Sequence, residues 1–309
     1  MPLDPQIADL LAAEATGEGP SFALGVEESR AAEYEFIEMC GPLIAMAVAD
    51  RGIPGPAGDV PVRVYTPIGA AATRPGLVYF HGGGWVAGDL ETMDRVCRNI
   101  ASGADCVVVS VHYRRAPEHR FPAAADDSYA AVTWVAENAD ALGIDAVRIA
   151  VAGDSAGGNL SAVVSQMARD RGGPPIAFQL LLYPVIDHDF ATQSYRDCAE
   201  GYALTRPMMQ WFWDQYVPDP TERDNPYAAP LRAASLAGLP PAHVHVAGFD
   251  PLRDEGLAYG DALRAAGVPV EVRTFDDMIH GYLQMVTVSP SAAAASAAAT
   301  EAVRAALRG

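Results

Sequence analysis

Apolar residues recur along the chain at two spacings. Short, β-branched runs occupy residues 62–65, 76–80, 106–112, 148–152, 177–183, 242–247 and 270–275. Between most of them lie segments such as 127–137 and 255–266, whose apolar positions fall at helical intervals. This alternation predicts an α/β fold with a mostly parallel, doubly wound sheet. The strands are apolar almost throughout, as expected of a sheet covered by helices on both faces. Two stretches break the rhythm. Residues 1–55 are expected to be helical and to end in a Pro/Gly-rich turn at 51–58, and residues 187–230 interrupt the strands with the segment containing Met208, Met209, Trp211, Phe212, Trp213 and Tyr216. Together they predict a small helical cap over one end of a core made of residues 56–186 and 231–309, with the alanine-rich stretch 289–308 as a last helix over the sheet. No internal repeat is present.

At 148–164 an apolar run passes through Gly-Asp-Ser-Ala-Gly-Gly (153–158) into a helical pattern carried by Ala156, Leu160, Val163, Val164 and Met167. A bare G-x-S-x-G arises by chance in roughly one chain in ten of this glycine content. The strand-to-helix setting is what gives it meaning: glycines two residues either side of Ser155 remove side chains that would collide in a tight turn, and the hydroxyl is held out at the carboxyl end of the sheet. Ser155 is thus the candidate nucleophile.

A serine hydroxyl needs a base, and the base needs an acid to orient it. With the order Ser, acid, His expected for this kind of turn, His188, His243, His245 and His280 remain as bases. His243 and His245 alternate in the interior of a predicted strand, and His188 would need an acid before it. His280 follows the last strand and is the best placed. For the acid, Asp250 comes directly after the penultimate strand and before Pro251, with Asp187 as its positional rival; Asp276 and Asp277 are too near His280 in sequence to reach behind its ring. The oxyanion of an attacked carbonyl needs fixed donors, expected from the amides of Ala156, Gly82 and Gly83, the last two in the His-Gly-Gly-Gly run at 81–84. That run also fits a dinucleotide-binding turn, but the next strand ends in His112-Tyr113-Arg114 instead of the acid that would hold a ribose, so no cofactor is expected.

Composition narrows the chemistry further. All 21 basic residues are arginine, which excludes Schiff-base lysines, Ser-Lys hydrolases and the P-loop lysine together. A net charge of −18 opposes nucleic acids and anionic membranes, favouring a neutral or cationic small molecule. Cys40, Cys97, Cys106 and Cys198 have neither metal-ligand spacing nor a disulfide pattern, so no metal site is expected. The N-terminus lacks a basic region followed by an apolar core, and no stretch is long enough to span a bilayer; a cytoplasmic location without stable membrane association is expected. The strand at 270–275, if it lies at an edge, is free to pair across the axis of a homodimer.

The set formed by His-Gly-Gly-Gly-Trp (81–85), Tyr-Arg-Arg-Ala-Pro-Glu-His (113–119), Gly-Asp-Ser-Ala-Gly-Gly-Asn (153–159), Asp-Pro-Leu-Arg-Asp-Glu (250–255) and Ile-His-Gly-Tyr (279–282) resembles the hormone-sensitive-lipase family of bacterial carboxylesterases, from about residue 60 to 285. The resemblance implies an eight-stranded α/β-hydrolase fold, a cap after the sixth strand, a Ser155, Asp250, His280 triad, and an oxyanion hole from Gly82, Gly83 and Ala156. It also implies hydrolysis of short- to medium-chain acyl esters through an acyl-enzyme, and a structural role for His81. Phe249 stands where such proteins more usually have tyrosine. Ligand sensors on the same scaffold lack the histidine, whereas His280 is present in an intact motif.

Overall fold

Strands whose side chains are apolar on both sides must be covered on both sides, and the helices of this protein divide accordingly. The computed structural model describes residues 1–16, 25–69 and 71–308. Its strands are β1 (Ala47–Gly55), β2 (Gly58–Thr66), β3 (Arg74–Phe80), β4 (Val107–Val111), β5 (Ile144–Asp154), β6 (Phe178–Leu182), β7 (Ala242–Phe249) and β8 (Val270–Ile279), in one sheet ordered β1-β2-β4-β3-β5-β6-β7-β8. β2 is antiparallel to β1 and β4, and every other neighbouring pair is parallel. The helices are α1 (Pro5–Ala15), α2 (Val26–Ala32), α3 (Asp94–Ala104), α4 (Ala123–Glu137), α5 (Ala139–Leu142), α6 (Ala156–Arg171), α7 (Gln193–Asp197), α8 (Arg206–Tyr216), α9 (Arg253–Ala265) and α10 (Pro290–Leu307).

The period of two along the strands sorts their side chains. Leu77, Tyr79, Val108 and Ala152 enter one core with Val96 and Ile100 of α3 and Ala295, Ala299 and Val303 of α10. Val78, Phe80, Val109 and Val151 enter the opposite core with Val132 and Val135 of α4 and Leu160, Val163 and Met167 of α6. A third cluster joins Leu181, Val244 and Val246 to Tyr259 and Leu263 of α9. β8 lies at one edge of the sheet.

The expected helical character of residues 1–55 stops short of its end. After α1, α2 and a 3₁₀ segment (Glu33–Cys40), residues 47–55 form β1, hairpinned onto β2. From Ala47 to Gly52 every β1 residue is exposed, and Ile53 is the one fully buried side chain of the strand. The strand is held by backbone pairing to β2 and leaves no alternating apolar signal. Among the described residues, no helix is long and apolar enough to cross a membrane.

The helical segments outside the sheet are fastened to its carboxyl end. Asp4 caps α1 by accepting from the amides of Gln6 (2.9 Å) and Ile7 (3.1 Å), and its other carboxylate oxygen accepts from the hydroxyl of Ser289 (2.8 Å), which caps α10. Arg30 of α2 donates to both oxygens of Glu118 (2.8 and 2.7 Å) and to the carbonyl of Val86 (3.0 Å). The guanidinium holds the Glu118 carboxyl down at about 2. α8 is two-faced: Met209, Trp213 and Tyr216 are buried in the core, with Tyr216 stacked on Trp85 at 4.2 Å and Trp213 edge-on to Trp85 at 5.1 Å. Replacing Trp213, fully buried, by alanine is expected to cost roughly 3–5 kcal/mol. Urea unfolding followed by circular dichroism measures this; a loss under about 1 kcal/mol would mean that α8 contributes little to core stability.

Candidate active site

β5 ends at Asp154 and α6 begins at Ala156, so a single residue, Ser155, makes the turn. Its φ of 54° lies in the left-handed region, a strained conformation for a residue with a side chain. Strand and helix cross so closely that a Cβ on Gly157 would overlap the carbonyl oxygen of Phe80, and one on Gly153 would overlap the backbone of Gly157. Both positions therefore require glycine.

Sheet register brings the remaining parts to this point. Phe80 of β3 pairs with Gly153 of β5, which sets the loop beginning at His81 beside Ser155. Phe249 of β7 pairs with Ile279 of β8, so the next residues, Asp250 and His280, leave the sheet side by side. His280 Nε2 lies 2.9 Å from Ser155 Oγ, and His280 Nδ1 lies 2.8 Å from Asp250 Oδ2. Asp250 is fully buried; its other carboxylate oxygen accepts from the Leu252 amide at 2.8 Å, which fixes the plane of the group. A carboxylate oxygen is an acceptor only, so the hydrogen between it and the ring belongs to Nδ1, and Nε2 faces the hydroxyl with its lone pair. Tyr183 braces the imidazole edge-on, with ring centroids 4.7 Å apart.

The rival residues are engaged elsewhere. Asp187 accepts from Arg232 Nε at 2.7 Å, and His188 Nε2 meets Asp224 at 3.0 Å. His243 and His245 lie in the middle of β7, as their alternation predicted, and burial pushes the proton affinity of His245 down to about 3. His81 is fully buried, stacked on Tyr113 at 4.2 Å with Nδ1 2.8 Å from the Gly82 carbonyl. Burial lowers its pKa to about 3, so it is neutral and part of the loop's framework. Among the described residues, no group of histidine, cysteine, aspartate or glutamate is arranged to hold a metal. All four cysteines are free and buried.

One expected donor already has a partner within the protein. The Gly82 amide does not face the pocket; it donates to Asp154 Oδ1 at 3.1 Å, an oxygen that also accepts from the hydroxyl of Tyr79 at 2.7 Å. The pocket is lined instead by Gly83 and Gly84, one residue further along. Both take positive φ (95° and 59°), and neither amide donates to a backbone carbonyl among the described residues. A Cβ on Gly84 would run into the ring of Phe212. The motif alone could not separate three consecutive glycines. The missing signal was the aspartate before the serine: buried, with its carboxyl raised by desolvation despite two hydrogen bonds, Asp154 is the acceptor that claims the Gly82 amide.

The site opens into a cavity. Most of its wall is apolar, with Phe36 from the N-terminal segment and Leu204, Met208 and Phe212 from the insertion. Two polar side chains that sequence reasoning did not single out, Glu33 and Gln284, also line it, and nothing local in the sequence marks either.

A family model of the alpha/beta hydrolase fold matches residues 77–284. Over 86% of its length the chain is 48% identical to the carboxylic ester hydrolase LipN of Mycobacterium tuberculosis, covering 72% of that protein. It is 49% identical to carboxylesterase NlhH of the same organism, over 81% of this chain and 79% of the relative. Among solved structures, a thermostable esterase from Pseudomonas putida superposes with a TM-score of 0.95 at 39% identity, covering 100% of this chain and 98% of the other. The hyperthermophilic esterase of the archaeon Pyrobaculum calidifontis does so with a TM-score of 0.92 at 40% identity, covering 99% of each chain. With its eight-stranded, mostly parallel sheet and these relatives, the chain belongs to the hormone-sensitive-lipase-like esterases of the α/β-hydrolase fold, and it is a carboxylic ester hydrolase.

Proposed function

We propose that Ser155, His280 and Asp250 act as a catalytic triad and that the enzyme hydrolyses short- to medium-chain acyl esters through an acyl-enzyme. The observation that carries this reading is the continuous chain of contacts, 2.9 Å from hydroxyl to imidazole and 2.8 Å from imidazole to carboxylate. As Oγ bonds to the ester carbonyl carbon, its proton passes to Nε2 and the carbonyl π electrons move onto oxygen. The resulting imidazolium is stabilised by buried Asp250, which remains ionised. Collapse of the tetrahedral adduct expels the alcohol, which takes the proton from Nε2. Water then repeats the sequence on the acyl-enzyme and restores the hydroxyl.

The oxyanion falls to the amides of Ala156, Gly83 and Gly84, the last replacing Gly82. The first residue of a helix has no intrahelical acceptor for its N–H, so Ala156 offers a donor without disturbing α6. Such fixed dipoles need no reorganisation as charge develops. Asp154, by holding Gly82, sets the position of the two glycines that follow.

We assign α1, α2 and the 3₁₀ segment Glu33–Cys40, with residues 187–230, to the cap, and residues 56–186 and 231–309, together with β1, to the core. A pocket closed by Phe36, Leu204, Met208 and Phe212 suits modest acyl chains better than long ones. Four buried, reduced thiols are compatible with a cytoplasmic setting.

Ser155→Ala is expected to lower turnover of p-nitrophenyl butyrate by about 10⁴-fold or more, and an undiminished rate would end the triad reading. Asp154→Ala, which strips the acceptor from the Gly82 amide, is expected to reduce kcat by roughly tenfold to a hundredfold with little change in KM. Asp154→Asn, which keeps a side-chain oxygen there, should recover most of that loss; equal effects from the two variants would show that the oxygen does not position the loop.

A further inference from the structure

The acyl-transfer chemistry leaves one charged group of the pocket without a task. Glu33, the first residue of the 3₁₀ segment, lines the same cavity as Ser155 and His280. Its Oε2 accepts from Gln284 Nε2 at 3.3 Å. Gln284 also lines the cavity and sits on the 3₁₀ turn (Tyr282–Gln284) that directly follows the His280 loop. Both residues line the substrate space, and the hydrogen-bond partner of the carboxylate there is a neutral amide. No arginine is among the described residues lining that space, and none of the described cations forms an ion pair with Glu33. Some carboxylates of the chain are paired with arginine, as at Asp127 with Arg114 and Asp187 with Arg232, and buried Asp154 and Glu255 each accept from backbone N–H groups; Glu33 has one neutral amide partner.

A carboxylate set in an apolar wall is costly unless something positive meets it. Desolvation raises its pKa to about 7, against the lowering effect of the Gln284 hydrogen bond. No described cation of the protein fills that role, so a positive group carried by the ligand has a free partner in Glu33 whenever the carboxyl is ionised. The net charge of −18 draws cations toward the molecule as a whole. His280 must hand its proton to the departing alkoxide, and Gln284 lies on the turn just after it, so this polar corner belongs to the alcohol side of the ester.

We propose that Glu33 is a specificity determinant that selects esters of ammonium-bearing alcohols, its carboxylate facing the positive nitrogen of the leaving group. The assignment rests on the esterase site described above and names the substrate class of that site.

Butyrylcholine and 3,3-dimethylbutyl butyrate have nearly the same shape and differ by one positive charge, so the ratio of their kcat/KM values isolates the recognition. Protonation of His280 affects both esters alike and cancels in that ratio. The titratable groups acting on Glu33 are Asp154 from the elbow and Asp89 from the loop after β3, which oppose its ionisation, and His280, which favours it. Glu33 is ionised above about 7 and neutral below. In the wild-type enzyme the ratio is expected to favour the cation by about tenfold or more well above neutrality, and to decline as the pH falls through about 7. Glu33→Gln is expected to abolish the preference at high pH and its pH dependence, with Glu33→Asp retaining part of both. Should Glu33→Gln not fold, the pH dependence of the wild-type ratio decides alone. Turnover of p-nitrophenyl butyrate without preference for the cationic ester, including the case in which neither member of the pair is a substrate, overturns the inference and leaves the esterase reading intact. No turnover of any of the three esters overturns both.

Discussion

Three backbones meet where β5 turns into α6: the end of β3 at Phe80, the strand at Gly153 and the first turn of the helix at Gly157. Contact there is main chain against main chain, closer than any side chain would allow. The crossing fixes the direction in which Ser155 projects. It also fixes the start of the glycine loop, because the loop begins at the residue after Phe80. The positive φ of Ser155 is the local cost of this geometry, sustained by a helix that is buried along nearly its whole length. The site is thus rigid where Ser155 and the glycine loop meet and is completed by two residues delivered from the far strands of the sheet.

Charge is distributed unevenly around that centre. The fully buried histidines, His81 and His245, are kept neutral by desolvation and serve as shaped, ring-like filling. The carboxylates divide into those with an arginine partner and those with neutral partners. Asp154 and Glu255 belong to the second group, each bound to backbone N–H groups and each with its proton affinity raised by burial. Glu255 holds the amides of Ile186 and Asp187 and so shapes the exit of the chain from β6 toward the insertion. These acids act as fixed acceptors for loops that have no secondary structure to order them.

The sequence was most informative where function depends on backbone crowding or on strand ends. The glycines around Ser155, and the positions of Asp250 and His280 just past two strands, followed from periodicity and from what a serine needs. It was least informative where a choice among equivalent groups depends on tertiary contacts. His81-Gly82-Gly83-Gly84 contains three amides with the same local chemistry, and only the distant Asp154 distinguishes them. β1 was missed because a strand exposed over most of its length carries no apolar alternation to detect. Glu33 was invisible for a different reason: a single acid in an acidic helical stretch resembles its solvated neighbours until the fold turns it toward the cavity.

α8 presents Met208 and Phe212 to the cavity, while Tyr216, one turn beyond, stacks on the tryptophan that ends the glycine loop. A rod of 11 residues therefore joins the apolar wall of the cavity to the glycine loop beside Ser155. A substitution that shifts Met208 or Phe212 acts on the same helix that packs Tyr216 against Trp85. On the proposed mechanism, the shape of the cavity and the placing of the glycine loop share one support, so a new ester would call on both faces of one helix together.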